Sequence, residues 1–244
     1  MRVGTWNIGS GFTFKDGKID KESLNYFVRE LKKISPDILC LQEADTKSNQ
    51  AGKIAKALGM GYRKCVPIHP NHITEIGTLS IAVLSKFPII SSKYYKLPNP
   101  KIDAVQKDGS RWKSFDKGFL YCTVNYNGNN IYIVSGHTLP VHKFHRDYMN
   151  KKFSKVRKKI EKIINRNCLP KIIGADMNYD NPKQLIPNVF KKGLKDVITN
   201  TSTTPEGKQS DHIIVSSHWK IINHRVIEGR ADHYLCIVDL ELIP

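Results

Sequence analysis

Short apolar runs recur along much of this chain, and a helical period interrupts them only a few times. Arg2–Ile8 reads as a first strand ending in Trp6-Asn7. Asp20 then has the character of an N-cap for a helix running to Ile34. Leu24, Phe27, Val28, Leu31 and Ile34 form its single apolar stripe, and Ser35-Pro36 stops it. Asp37–Glu43 is the next strand, and a short helix from Gln50 to Leu58 closes on Gly59. Four apolar runs follow with no helix between them: Tyr62–Ile68, Thr78–Leu84, Ile89–Tyr95 and Gly118–Tyr126. Asn127-Gly128 signals a hairpin into Ile131–Ser135, which ends in Gly136-His137-Thr138. A long basic helix is expected from Phe144 to Arg166, with Phe153, Val156, Ile160, Ile163 and Ile164 as its core stripe. The β-branched pair Ile172-Ile173 marks a buried strand leading to Asp176, and a short helix and a polar loop (Thr199–Gln209) follow it. Strands at Asp211–Ser217, Lys220–Ile227 and Tyr234–Leu242 complete the chain.

A chain of 244 residues can bury a sizeable core. No linker, repeat or low-complexity run divides it, so one domain over 1–244 is expected. The N-terminus enters a strand pattern at once, without the apolar segment of a signal peptide. No apolar run is long enough to span a membrane. Five scattered cysteines without a C-x-x-C pair argue for reduced thiols in a cytoplasmic setting, and against a disulfide scaffold or zinc site. A formal net charge of +17 draws polyanions, of which nucleic acid is the commonest.

Polar residues capable of chemistry collect at the strand ends: Asn7, Glu43, His137, Asp176, Asn178, Asp211, Asp232 and His233. Strand ends held by a rigid sheet are where functional loops gather. On an extended segment Asp176 and Asn178 would share a face, offering the oxygen and amide groups that a hard divalent cation or a phosphate-bound water requires.

Six segments carry a resemblance. They are Thr5-Trp6-Asn7, Leu41-Gln42-Glu43, Ser135-Gly136-His137-Thr138, Gly174-Ala175-Asp176-Met177-Asn178, Ser210-Asp211-His212-Ile213-Ile214 and Ala231-Asp232-His233-Tyr234. In this order they resemble the endonuclease/exonuclease/phosphatase superfamily, whose fold is deoxyribonuclease-I-like. The resemblance implies an α+β architecture: two packed, mostly antiparallel β-sheets flanked by helices, a four-layer α/β/β/α sandwich. It implies Mg²⁺ (or Mn²⁺) held by Glu43, with Asn7 in or beside its shell and Asp232 joining that site or a second one. Asp176 would orient and deprotonate the attacking water, with Asn178 steadying the water or the phosphate. His233, held by Asp211, would donate to the scissile phosphate. His137 would protonate the leaving oxygen or touch the phosphate. His212 stands where relatives often carry an aromatic residue or an arginine, and is read as structural. His69, His72, His142, His145, His218 and His224 match no family position and are assigned to surface or loops.

This superfamily also acts on RNA, phosphoinositides and sphingomyelin. The positive charge, the basic helix with Arg146, Lys151 and Lys155, and the Arg111-Trp112-Lys113 cluster in a loop from Lys96 to Lys117 all favour nucleic acid, DNA ahead of RNA. The expectation is therefore a monomeric Mg²⁺-dependent endonuclease leaving a 5′-phosphate and a 3′-hydroxyl. A phosphomonoesterase or lipid-headgroup phosphatase is the first alternative, and a non-catalytic nucleic-acid-binding module the second.

Overall fold

The computed structural model describes residues 1–15, 18–106, 109–166 and 170–243; Cys168 lies outside them. The chain begins with β1 (Arg2–Asn7), a small hairpin of β2 (Phe12–Lys15) and β3 (Lys18–Glu22), then α1 (Leu24–Ile34). Next come β4 (Ile38–Asp45), α2 (Gln50–Ala57), β5 (Tyr62–Pro70), β6 (Thr78–Ser85) and β7 (Ile89–Lys96). A second hairpin, β8 (Asp103–Val105) with β9 (Arg111–Lys113), precedes β10 (Gly118–Tyr126) and β11 (Asn129–His137). After α3 (Ser154–Ile164) come β12 (Lys171–Asp176), α4 (Pro182–Leu185), α5 (Pro187–Lys191) and β13 (Lys195–Asp196). The last strands are β14 (Asp211–Val215), β15 (Trp219–Ile227) and β16 (Leu235–Leu242).

Two six-stranded sheets form, in the orders β15-β16-β1-β4-β6-β5 and β13-β14-β12-β11-β10-β7. Their pairings are antiparallel except for β1 with β4 and β11 with β12. This is the α/β/β/α sandwich that the resemblance implies. Period-2 alternation builds it. Cys40, buried among Val3, Ile38, Ile133 and Ile172, faces the inter-sheet core, while Leu39 and Leu41 turn to the other face with Phe27, Leu31 and Ile54. On the second sheet's outer face, Val156, Ile160, Ile163 and Ile164 of α3 pack on Phe119, Val134 and Ile173. Fully burying each such aliphatic side chain is worth about 1.5–3 kcal/mol.

Where the sheets cross, space is short. A Cβ on Gly174 would stand 2.9 Å from that of Thr5 and 3.0 Å from that of Cys40. Gln42 fills the neighbouring gap, bonding Thr5 Oγ1 and Ser135 Oγ at 3.2 Å each, so both sheets are tied together beneath the strand ends.

Three expectations about elements change. Asp20 lies in β3 and not at a helix start, because its carboxylate is engaged by Arg230 (2.7 Å); the helix begins at Leu24. The Arg111-Trp112-Lys113 stretch is a strand of a protruding hairpin. The long basic helix is broken: Val141–Phe144 and Lys151–Phe153 are single 3₁₀ turns, and only Ser154–Ile164 is α-helical. His145 in left-handed conformation ends the first turn, and the Asn150 side chain caps the second through Lys152 N (3.0 Å). The α3 direction is fixed by Lys171, whose buried ammonium donates to the carbonyls of Ile164 and Arg166 at 2.6 Å each. Lys171 starts β12 and Asp176 ends it, so α3 begins at the Asp176 end of the sheet and runs away from it.

Candidate active site

Topology gathers the polar strand ends. β1 and β4 run parallel, as do β11 and β12, so Asn7, Glu43, His137 and Asp176 emerge on one edge of the sandwich. β14 runs antiparallel to β12 and places Asp211 in register with Asp176. β16 runs antiparallel to β1, so the turn before it delivers Asp232 and His233, and Trp6 Nε1 anchors that turn on the His233 carbonyl at 2.9 Å.

Asp176 is the hub. Its Oδ2 accepts from Asn7 Nδ2 (3.0 Å) and lies 3.2 Å from His137 Nε2 and 3.8 Å from His233 Nε2. Its Oδ1 accepts the Asn178 backbone N–H at 2.9 Å. Burial pushes this carboxyl up, but His233 and then His137 outweigh it and hold Asp176 well below the ordinary carboxylate range. His233 Nδ1 meets Asp211 Oδ2 at 2.7 Å. Burial disfavours its cation, yet Asp211 and Asp176 more than compensate and raise His233 well above an ordinary imidazole. Asp176, Asp211 and His233 each bring a ligating atom within 4.8 Å of the others. The short Nδ1–carboxylate bond orients the His233 ring between the Asp211 and Asp176 carboxylates.

Glu43 stands across from this trio, and its placement is a backbone device. It has φ +55°, inside a bulge of β4 between Gln42 and Ala44. Bulges re-aim side chains, and a non-glycine residue in the left-handed region stores strain that functional sites tolerate. Asn178 also has positive φ (+47°), because β12 ends at Asp176. The two residues Asp176 and Asn178 thus do not share a strand face; a turn closed on the Asp176 carboxylate brings Asn178 in, where its Nδ2 donates to Thr138 O at 3.2 Å.

The donor set fits a hard cation. Asp232 Oδ1 is buried with no hydrogen-bond partner among the described residues, and burial raises this carboxyl in the neighbourhood of Glu43. Asn7 Oδ1 and Glu43 add two further oxygens, the ligand type that Mg²⁺ prefers.

Several predicted residues lie outside this gathering. Arg111, Trp112 and Lys113 are exposed on the β8–β9 hairpin, with Arg111 paired to Asp103 at 2.8 Å and Trp112 44% exposed. Gln106 Nε2 ties the hairpin to Lys143 O (3.2 Å), in the segment just after β11. Arg146, Lys151 and Lys155 are exposed at the near end of α3. His212 is wholly buried between Asp196 (2.8 Å) and the Tyr179 carbonyl (3.0 Å), the structural role expected of it.

Sequence reasoning missed one residue at the centre. Lys117 is 3% exposed, and its Nζ lies 3.4 Å from Glu43 Oε1, 3.3 Å from His69 Nε2 and 3.0–3.1 Å from the two ring nitrogens of His137. It precedes Gly118, the register partner of His137, yet a single lysine before a strand gives no sequence signal. The assignment of His69 to surface or loop is also corrected. A bulge of β5 between Pro67 and His69 turns that ring inward onto Lys117, and His142 is half-buried beside the Asn178 backbone. With Nδ1 donating to Pro70 O (2.8 Å), His69 Nε2 is the lone pair facing the ammonium. Burial and then Lys117 depress this imidazole to about 3.

The model of the Endonuclease/Exonuclease/phosphatase family matches residues 4–233. The chain belongs to this family. Its members are hydrolases. No curated protein matches the chain by sequence. Among solved structures, an endonuclease/exonuclease/phosphatase from Beutenbergia cavernae has a TM-score of 0.76 at 16% identity, covering 99% of this chain and 71% of that one. The human Nocturnin catalytic domain with bound sulfate gives 0.69 at 16% identity, covering 99% and 93%. A mannosyl-6-phosphatase from Bacteroides thetaiotaomicron gives 0.65 at 16% identity, covering 99% and 100%. At these identities the likeness speaks for the fold.

Proposed function

We propose that the protein is a divalent-metal-dependent phosphodiesterase that hydrolyses nucleic acid, DNA in preference to RNA. The observation that carries the reading is the Asp176 carboxylate, ringed by Asn7, His137 and an Asp211-oriented His233, with Glu43 facing it. Glu43, Asn7 and Asp232 would hold Mg²⁺, which when bound offsets negative charge on the phosphate. Asp176, kept ionised, orients the attacking water and receives its proton. His233 presents its Nε2–H to a non-bridging oxygen, whose charge grows in the transition state, and Asp211 fixes the ring by accepting at Nδ1. Asn178 steadies the water or the phosphate. His137, donating from Nε2 to Asp176, keeps that carboxylate aimed, and with substrate bound it would protonate the departing 3′ oxygen or contact the phosphate. Net charge +17 and the exposed cations Arg111, Lys113, Arg146, Lys151 and Lys155 around this edge support a polyanionic substrate.

Supercoiled plasmid, single-stranded RNA and a phosphoinositide, each offered with Mg²⁺ and with EDTA, test the reading. Nicking of plasmid in Mg²⁺ alone is expected. Hydrolysis of the phosphoinositide with both nucleic acids intact would replace it with the lipid-headgroup phosphatase. Binding of nucleic acid without hydrolysis of anything would replace it with the non-catalytic module.

A further inference from the structure

Beside Glu43 the site has a wall that the hydrolytic roles leave unused. Phe115 stacks on His69, with centroids 4.9 Å apart and an interplanar angle of 16°, and on His72, at 5.3 Å and 26°. The His69 and His72 centroids are 5.6 Å apart. The three rings therefore form one cluster, buried at His69, half-buried at Phe115 and exposed at His72. Its buried end touches Lys117 Nζ at 3.3 Å, and that same ammonium is 3.4 Å from Glu43. A buried cation beside the reacting centre thus continues outward into flat rings that reach solvent.

We infer that Lys117, His69, Phe115 and His72 form a substrate subsite for one unpaired nucleotide: Lys117 holds a non-bridging phosphate oxygen and the ring cluster stacks its base. The inference rests on the nucleic-acid reading and sharpens its substrate class to single-stranded or locally unpaired strands. The chemistry of each part is specific. An ammonium whose present partners are one carboxylate oxygen and imidazole nitrogens can turn a donor to an arriving phosphate oxygen. His72 offers an aromatic face to solvent at the outer end, and base stacking on such faces tolerates any sequence because every base has a π-face. A base still paired in duplex has both faces covered by its neighbours, so it must leave the stack to use the wall.

The test is binding in EDTA, where nothing is cut. Fluorescence anisotropy compares a short single-stranded oligothymidylate with an abasic-spacer chain carrying the same number of phosphates. The wild type should prefer the thymidylate by about fivefold or more, the low end for one stacked base. His72→Ala, and His72→Ala with Phe115→Leu, should shrink that preference toward unity while leaving the abasic chain's affinity unchanged. Lys117→Met should weaken both chains by the same factor. Equal wild-type affinities, or an undiminished preference in the double variant, would overturn the subsite. His72 is exposed, so its single variant decides the matter if the double variant folds poorly. A wild type that binds both chains equally yet nicks plasmid with Mg²⁺ overturns only this inference. One that binds neither chain overturns this inference, and the nucleic-acid reading falls with it only if plasmid and RNA also stay intact in Mg²⁺.

Discussion

Asn7, on the last residue of the first strand, donates a 3.0 Å hydrogen bond to Asp176, 169 residues further on and on the opposing sheet. That bond spans the gap where the two sheets open, and it fixes which carboxylate oxygen faces the interior of the site. Replacing Asp176 by Asn keeps the volume but removes the ionised acceptor. Turnover of Asp176→Asn should fall about 10²–10⁴-fold with an unchanged circular dichroism spectrum. Near-wild-type kcat would place the water-handling group elsewhere.

Glu43 and Lys117 are coupled, which makes stability informative alongside activity. Glu43→Gln should raise the Mg²⁺ concentration for half-maximal activity at least tenfold, measured by metal titration. It also leaves a buried ammonium without its carboxylate, and breaking a buried pair from one side costs about 3–5 kcal/mol. The double variant Glu43→Gln with Lys117→Met removes that orphan, so it should melt above the single variant. A lower or equal Tm for the double variant would mean that the pair is not energetically linked.

His212 supplies a pH signature distinct from catalysis. Both of its ring nitrogens face acceptors, Asp196 and the Tyr179 carbonyl, so satisfying both takes the protonated ring. Burial lowers its pKa, but the Asp196 hydrogen bond and charge outweigh burial, and the folded value is raised. A raised folded pKa stabilises fully below the unfolded value and is lost as pH climbs through the folded one. The Tm gap between wild type and His212→Gln should therefore be widest at about pH 5.5, below an ordinary imidazole, and should narrow toward alkaline pH. A gap that grows with pH would reverse the sign.

Salt dependence maps the cationic edge. α3 begins near Asp176 and is roughly 16 Å long, so Lys151 and Arg146 stand at the site's end and Lys162 at the far end. Lys151→Gln with Arg146→Gln should flatten the log–log salt dependence of duplex binding by up to about 0.9 for each phosphate left unneutralised. Lys162→Gln should leave it unchanged. Equal effects at both ends would mean a diffuse field without a footprint.

The central strands were readable because each is a short apolar run covered on both faces: β4, β12 and β14 are buried along their whole length, and Cys40 faces one core while Leu39 and Leu41 face another. The broken basic helix was not readable. The apolar stripe Phe153–Ile164 is genuine, but what ends the regular structure upstream of it is a left-handed His145 and an Asn150 cap, local backbone choices that periodicity does not carry. The gathered residues follow from strand ends alone, since parallel pairing brings Asn7, Glu43, His137 and Asp176 to one edge. Lys117 and His69 escaped for a physical reason. Each is placed by something that apolar periodicity does not encode, a register partner across an antiparallel ladder in one case and a bulge in the other.

The final strand slots between β15 and the very first strand, and the turn leading into it brings Asp232 and His233. A chain in which β16 has not seated beside β1 therefore leaves Asp211 without the imidazole it orients. A chain cleaved just ahead of residue 232 keeps every lysine and arginine but loses the His233 ring. Loss of that turn thus separates the positive field, which stays, from the Asp211–His233 pair, which goes.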